Sequence, residues 1–230
     1  MLTRRQWLAL TGGLLYGCRS APRLAGPSEP RLASPSAPRL IDPSWNWCAL
    51  GTSIGAGNYN GGVSYVDKVV AAFPSLFGNT HNICVPGSSC DDRGQVSAAQ
   101  ALYDRSKDVN IASLEFGPND GLRKSAAAFV ADLKRACLAL RGTGFTIMVS
   151  SMLPCASYDS EAFRTSSRAL ILADPSFWDY LVDWGNTETT MGGEAAKNDT
   201  LLYSDGVHPT DHGYNLMEPQ LTAGFVSLLA

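Results

Sequence analysis

The chain has 230 residues, a formal net charge of −3, and 45% hydrophobic against 17% charged residues. That is enough apolar material for one packed domain with attachments, and too little charge for a disordered chain. A pI near 5.6 leaves no basic footprint for nucleic acid, and no apolar run reaches the ~18 residues of a membrane span.

The chain opens on an address rather than a fold. Arg4 and Arg5 precede a short apolar segment, Trp7–Gly17, which reads as an export signal. The arginine pair resembles a twin-arginine signal, a partial match given Trp7 and Ala9. Leu15, Tyr16, Gly17 and Cys18 resemble a bacterial lipobox, in which Cys18 would carry the lipid, although Tyr16 is bulky for its position; a plain cleaved signal, or a Cys18 there by chance, is the alternative. Residues 21–44 then repeat an octad of the form Ala-Pro-Arg-Leu-x-x-Pro-Ser three times, with Glu29 opening the second copy. Two prolines per octad exclude helix and sheet and favour an extended, solvated spacer. Residues 1–18 are therefore expected to be an export signal, 19–44 a linker and 45–230 the folded domain.

From Trp45 the segments alternate between strand-like and helix-like patterns, as in a parallel sheet with helices on both faces. The first strand is expected at Asn46–Leu50, breaking at Gly51 into a turn that carries Ser53, with Gly55 and Gly57 behind it for sharp turning and close approach to a ligand. A helix is predicted over Val63–Phe73 and a second strand over His81–Val85, closing on Pro86 and Gly87. Gln95–Tyr103 reads as helix and Asn110–Phe116 as the third strand, ending at Gly117, Pro118, Asn119 and Asp120. Leu122, Ala126, Phe129, Leu133, Cys137 and Leu140 keep helical spacing up to a glycine stop at Gly142 or Gly144. The fourth strand is Phe145–Ser150; Glu161–Leu172 and Ser176–Trp184 look helical, the latter with core aromatics Phe177, Trp178, Tyr180 and Trp184. A weak strand near Thr200–Tyr203 precedes a last helix after Pro209, with Leu216, Leu221, Phe225 and Leu228 facing inward. The sum is an α/β fold, a three-layer α/β/α sandwich on a mainly parallel sheet of about five strands.

In such sheets ligands gather beyond the carboxyl ends of the strands. Those positions hold Ser53, Gly87 and Asn119, while Asp205 lies three residues before His208 near the C-terminus. A serine, a base with an orienting acid, and convergent donors are the parts acyl transfer needs. The stretches Gly51–Ile54, Asn82–Ser88, Gly117–Asp120 and Asp205–Pro209 resemble, in order, the four blocks of the SGNH (GDSL-type) hydrolase superfamily. The match departs at Thr52, where the family usually has Asp, so hydrogen bonding around the turn is expected to differ. The resemblance implies Ser53 as nucleophile, His208 as base, and Asp205 as its orienting acid. It implies an oxyanion hole from the Ser53 and Gly87 N–H groups and the Asn119 side chain, with no cofactor or metal.

Rival readings are weaker. Gly51, Ser53 and Gly55 also fit the Gly-x-Ser-x-Gly elbow of α/β-hydrolases, but here the serine follows the first strand and no upstream strands exist to build that larger sheet. His208 and His212 have metal-ligand spacing, yet Pro209 intervenes and no third ligand is evident. Cys48 and Cys137 read as core thiols; Cys84 and Cys90 bracket Gly87, where a bridge would stiffen the loop. Folding in a reducing cytosol before twin-arginine export would leave no bridge essential. The expected substrate is a small ester or an acetylated carbohydrate, with no nucleic acid and no membrane contact beyond the lipid anchor of an exported cell-envelope protein. Longer acyl chains, or a non-catalytic glycan-binding role, are the alternatives.

Overall fold

In a computed structural model the described residues are 45–156 and 161–228. The export signal, Cys18 and the octad linker lie outside them. Five parallel strands stand in the order β2-β1-β3-β4-β5: β1 Trp45–Gly51, β2 Phe77–Asn82, β3 Val109–Glu115, β4 Thr146–Ser150 and β5 Tyr180–Val182. Five helices connect and flank them: α1 Tyr65–Ala72, α2 Arg93–Ala101, α3 Ala126–Thr143, α4 Glu161–Ala173 and α5 Asp211–Ser227.

Strand β1 is buried over its whole length because it is sandwiched on both faces. Its alternating side chains feed two separate cores. Trp47 and Ala49 pack with Ile111, Met148, and the α1 and α5 residues Tyr65, Val69, Leu221 and Phe225. Cys48 and Leu50 point the other way, to Ala112, Leu114, Phe129, Leu133 and Leu140 of the β3 and α3 side. The three-layer α/β/α sandwich is therefore as expected, and Cys48 and Cys137 are fully buried core thiols.

Local chemistry sets the helix starts. Ser64 caps α1 with a reciprocal bond to Asp67 (Ser64 N–H to Asp67 Oδ2, 2.8 Å). Thr210 caps α5, accepting from the Gly213 N–H at 3.1 Å immediately after Pro209. Gly144, at φ 117°, ends α3 in the left-handed region.

Several expectations shift. The second strand lies at Phe77–Asn82 rather than His81–Val85, because an edge strand need not be apolar on both faces; Ile83 and Val85 extend the pairing only through bonds to the Ala49 and Gly51 carbonyls (2.9 and 3.0 Å). Ser176–Trp184 is not a helix. A short 3-10 turn at Pro175–Phe177 leads into β5, which Asp179 locks to β4 by exchanging bonds with Ile147 (2.8 and 2.7 Å). An aromatic and β-branched run of this length satisfies either period, and the open edge of β4 decides. The weak strand at Thr200–Tyr203 is a single bridge, Tyr203 to Pro209. Leu122 precedes α3 and is exposed, since Ser125 starts that helix.

Arg164 of α4 is fully buried and ties this frame to the last loop. Its guanidinium donates to the Gly185 and Gly192 carbonyls (2.6 and 2.8 Å) and pairs with Glu161 (2.7 Å). Next to Gly192, the Met191 carbonyl accepts from the Tyr203 hydroxyl at 2.8 Å, two residues before Asp205. Arg164→Ala strands two buried carbonyls and a carboxylate, and is expected to cost about 3–5 kcal/mol. Urea unfolding of the two proteins measures it; a loss below ~1 kcal/mol would show that the loop holds itself.

Candidate active site

The sheet order places a topological switch between β1 and β3, where the chain leaves β1 for one edge and returns to β3 on the other side. Ser53 follows β1 and Asn119 follows β3, so both overhang that switch. The Ser53 hydroxyl donates to His208 Nε2 at 2.8 Å. His208 Nδ1 lies 2.8 Å from Asp205 Oδ2. An ionised carboxylate only accepts, so Nδ1 carries the proton and Nε2 is left as the acceptor for the serine.

Asp205 is held by its own loop. Its Oδ1 accepts from the Val207 and His208 N–H groups at 3.0 and 2.8 Å. Partial burial pushes its pKa up, but the bonds from His208 and Val207 outweigh that and leave it below its ordinary value. The loop is closed beneath by Ser204 N–H to His208 O and Thr210 N–H to Leu202 O, both 2.9 Å.

Gly87 sits at φ 79° on the turn Val85–Ser88, with open space where a side chain would project. The Asn119 amide donates one N–H to the Ser88 carbonyl at 2.8 Å, which ties that turn to the end of β3 and leaves its second N–H available. Asp120 beside it accepts from the Cys90 N–H (3.1 Å) and thiol (3.2 Å) and from Lys124 (3.2 Å). Cys84 and Cys90 are free thiols occupied elsewhere, Cys84 at the Ala49 carbonyl and Cys90 at Asp120, so no bridge braces the turn. His212 is an exposed residue on the first turn of α5, away from the hydrogen bonds that engage His208.

Three residues with a part in this geometry escape a reading of motifs. Glu115, the last residue of β3, is a buried acid under the Ser53 turn. Its Oε2 accepts from the Thr52 and Gly55 N–H groups (3.1 and 3.2 Å), and the Thr52 hydroxyl lies 3.1 and 3.0 Å from its two oxygens. Thr52 is thus a donor to a carboxylate supplied by the neighbouring strand. A lone acid closing an apolar strand was the available signal. Gln95 clasps Gly51 on both backbone groups (2.8 and 2.9 Å) and also reaches Ser88 Oγ at 2.9 Å, joining the first two loops. Tyr59 lays its ring over the His208 imidazole with centroids 4.5 Å apart, and nothing in the sequence pattern marks it. Gly55 serves packing and not ligand approach: a side chain there would meet Cys84 Sγ and the Tyr65 hydroxyl.

No protein-family model and no curated protein matches the chain. Solved structures do. A member of the lipolytic G-D-S-L family from Veillonella parvula superposes with a TM-score of 0.61 at 19% identity, over 80% of this chain and 99% of that one. A carbohydrate esterase family 3 protein from Talaromyces cellulolyticus gives 0.59 at 17%, over 80% and 97%. An acetylxylan esterase from Geobacillus stearothermophilus gives 0.56 at 16%, over 76% and 91%. The chain has the fold of the GDSL-type (SGNH) hydrolases.

Burial pushes the Glu115 pKa up to about 7 against the lowering effect of the bonds from Thr52 and Gly55. An unfolded glutamate titrates near ~4.3. Between those values the folded chain holds a proton the unfolded chain has released, so stability falls as pH rises through this window, by up to ~1.4 kcal/mol per unit. Glu115→Gln keeps one oxygen for both N–H groups and is expected to flatten the slope; urea midpoints at pH 5 and pH 8 check it. Equal slopes in both proteins would remove Glu115 as the source. Glu115→Ala is expected to destabilise by about 1–3 kcal/mol, through the N–H groups it orphans.

Proposed function

We propose that the protein is a serine esterase that hydrolyses carboxylic esters through an acyl-enzyme, acting on short acyl groups such as O-acetyl on carbohydrate. The observation that carries this reading is the unbroken chain from Ser53 through His208 to Asp205, at 2.8 Å for each link. Ser53 Oγ attacks the ester carbonyl carbon as His208 Nε2 takes its proton. Asp205 keeps the imidazole in the required tautomer and favours the imidazolium that forms. The negative charge on the carbonyl oxygen is met by the N–H groups of Ser53 and Gly87 and by the free N–H of Asn119. His208 then protonates the departing alkoxide. A water molecule, deprotonated by the same nitrogen, cleaves the acyl-serine to release the acid and restore the hydroxyl.

The acetyl preference is supported by fold neighbours that include an acetylxylan esterase and a carbohydrate esterase. Export to the cell envelope through residues 1–18, with Cys18 as lipid anchor and residues 19–44 as spacer, completes the proposal.

The full chain is assayed on p-nitrophenyl acetate and octanoate, reading nitrophenol release. Acetate is expected to exceed octanoate, and Ser53→Ala to lower kcat by on the order of 10³-fold or more. Asn119→Ala is expected to lower it by about 10²–10³-fold. A preference for octanoate would reassign the substrate to longer acyl chains. A wild type no faster than Ser53→Ala on either ester would sink the esterase reading in favour of a binding role.

A further inference from the structure

We infer that Tyr59 is a specificity-determining residue that forms a stacking platform for the alcohol half of the ester and selects a cyclic alcohol, such as a sugar ring. The inference rests on the esterase reading and deepens it. Its ground is the ring that lies over His208, centroids 4.5 Å apart at an interplanar angle of 33°, while 71% of the residue stays open to solvent.

The chemistry of the leaving group fixes which half of the substrate this ring meets. His208 Nε2 holds the Ser53 hydroxyl and must pass that proton to the leaving oxygen. The alcohol therefore departs beside the imidazole, and whatever is bonded to that oxygen lies next to the ring stacked on it. The acyl carbonyl oxygen is instead met by the N–H groups of Ser53, Gly87 and Asn119. An exposed aromatic face next to a departing alcohol matches the C–H face of a pyranose and has little to grip on a small acyclic alcohol.

The backbone holds Tyr59 there against its own preference. Its φ of 63° is in the left-handed region, and it is the one non-glycine among the described residues with a positive φ. Bulky side chains rarely adopt that conformation without a surrounding structure that imposes it. The turn does so through Asn58 N–H to Ser53 O (3.0 Å), Asn60 N–H to Gly57 O (3.1 Å) and Gly62 N–H to Gly57 O (3.1 Å). Gly57, Gly61 and Gly62, at φ 70°, 62° and 83°, take the neighbouring left-handed positions. The same turn carries Ser53, so the platform and the nucleophile move as one piece.

The test compares an O-acetylated methyl pyranoside with ethyl acetate, two alkyl acetates that differ in the alcohol alone, for the full-length wild type, Tyr59→Phe and Tyr59→Ala. The readout is the ratio of the two kcat/KM values. Tyr59→Ala is expected to lower that ratio by about 10-fold, mainly through KM for the pyranoside, and Tyr59→Phe to restore it. A matched series with one alcohol and acyl groups of two, four and eight carbons is expected to keep its internal ratios. An unchanged pyranoside-to-ethyl ratio in Tyr59→Ala would overturn the platform, whether or not overall rates fall, because a residue that only steadies His208 affects all esters alike. An acyl-dependent change would overturn it in favour of an acyl-side contact. If the wild type turns over none of these acetates, the esterase reading has itself failed, an outcome distinct from a flat ratio.

Discussion

The arrangement depends on one buried carboxylate. Glu115 closes β3 directly beneath the turn that leaves β1, and its Oε2 collects the N–H groups of Thr52 and Gly55 on either side of Ser53. Two peptide groups that cannot join the sheet or a helix are thereby satisfied inside the protein, where leaving them unpaired is expensive. The backbone on both sides of the serine is pinned to a strand that is itself fixed by neighbours on two sides. Gly51 is the counterpart of this contact, since any side chain there would occupy the space of the Glu115 carboxylate and carbonyl.

Around that pin, each loop is fastened to its neighbour by a polar side chain. Gln95 grips Gly51 and Ser88, Asn119 grips Ser88, and the Tyr214 hydroxyl of α5 reaches the Ile54 carbonyl at 2.7 Å. These bonds are what bring groups from the ends of β1, β2, β3 and the last loop to one place. Hydrophobic burial gives the sandwich its stability but has no direction; the buried hydrogen bonds supply the direction. The Asp205–His208 loop is different in kind, being shaped by bonds within residues 202–210 and tied to the rest by the Ala156 N–H at the Gly206 carbonyl (2.9 Å) and the Tyr203 hydroxyl at the Met191 carbonyl (2.8 Å).

Much of the fold was legible in the chain. The apolar runs of β1, β3 and β4 and the 3.6-residue pattern of α3 are strong because their burial is strong, two-sided for the strands and one-sided for the helix. The edges were less legible for the same reason. Strand β2 presents Asn79, Thr80 and His81 where an inner strand would carry aliphatics, and β5 is only three residues of an aromatic segment that fits a helix as well. An edge strand is defined by the open ladder it completes, and that ladder belongs to a different part of the chain.

For the site, the sequence by itself determined the local units: a serine on a glycine-flanked turn after the first strand, an Asn-Asp pair after the third, and an acid three residues before a histidine. Each is specified by contacts within a few residues, which spacing can express. The tertiary structure alone decided that Ser53 and His208, 155 positions apart, meet at 2.8 Å. It also decided that Glu115 lies beneath Thr52, that Gln95 joins two loops, and that Tyr59 covers the imidazole. Those roles depend on which strand lies beside which and on a backbone turned into the left-handed region, and neither leaves a periodic trace in the order of the residues.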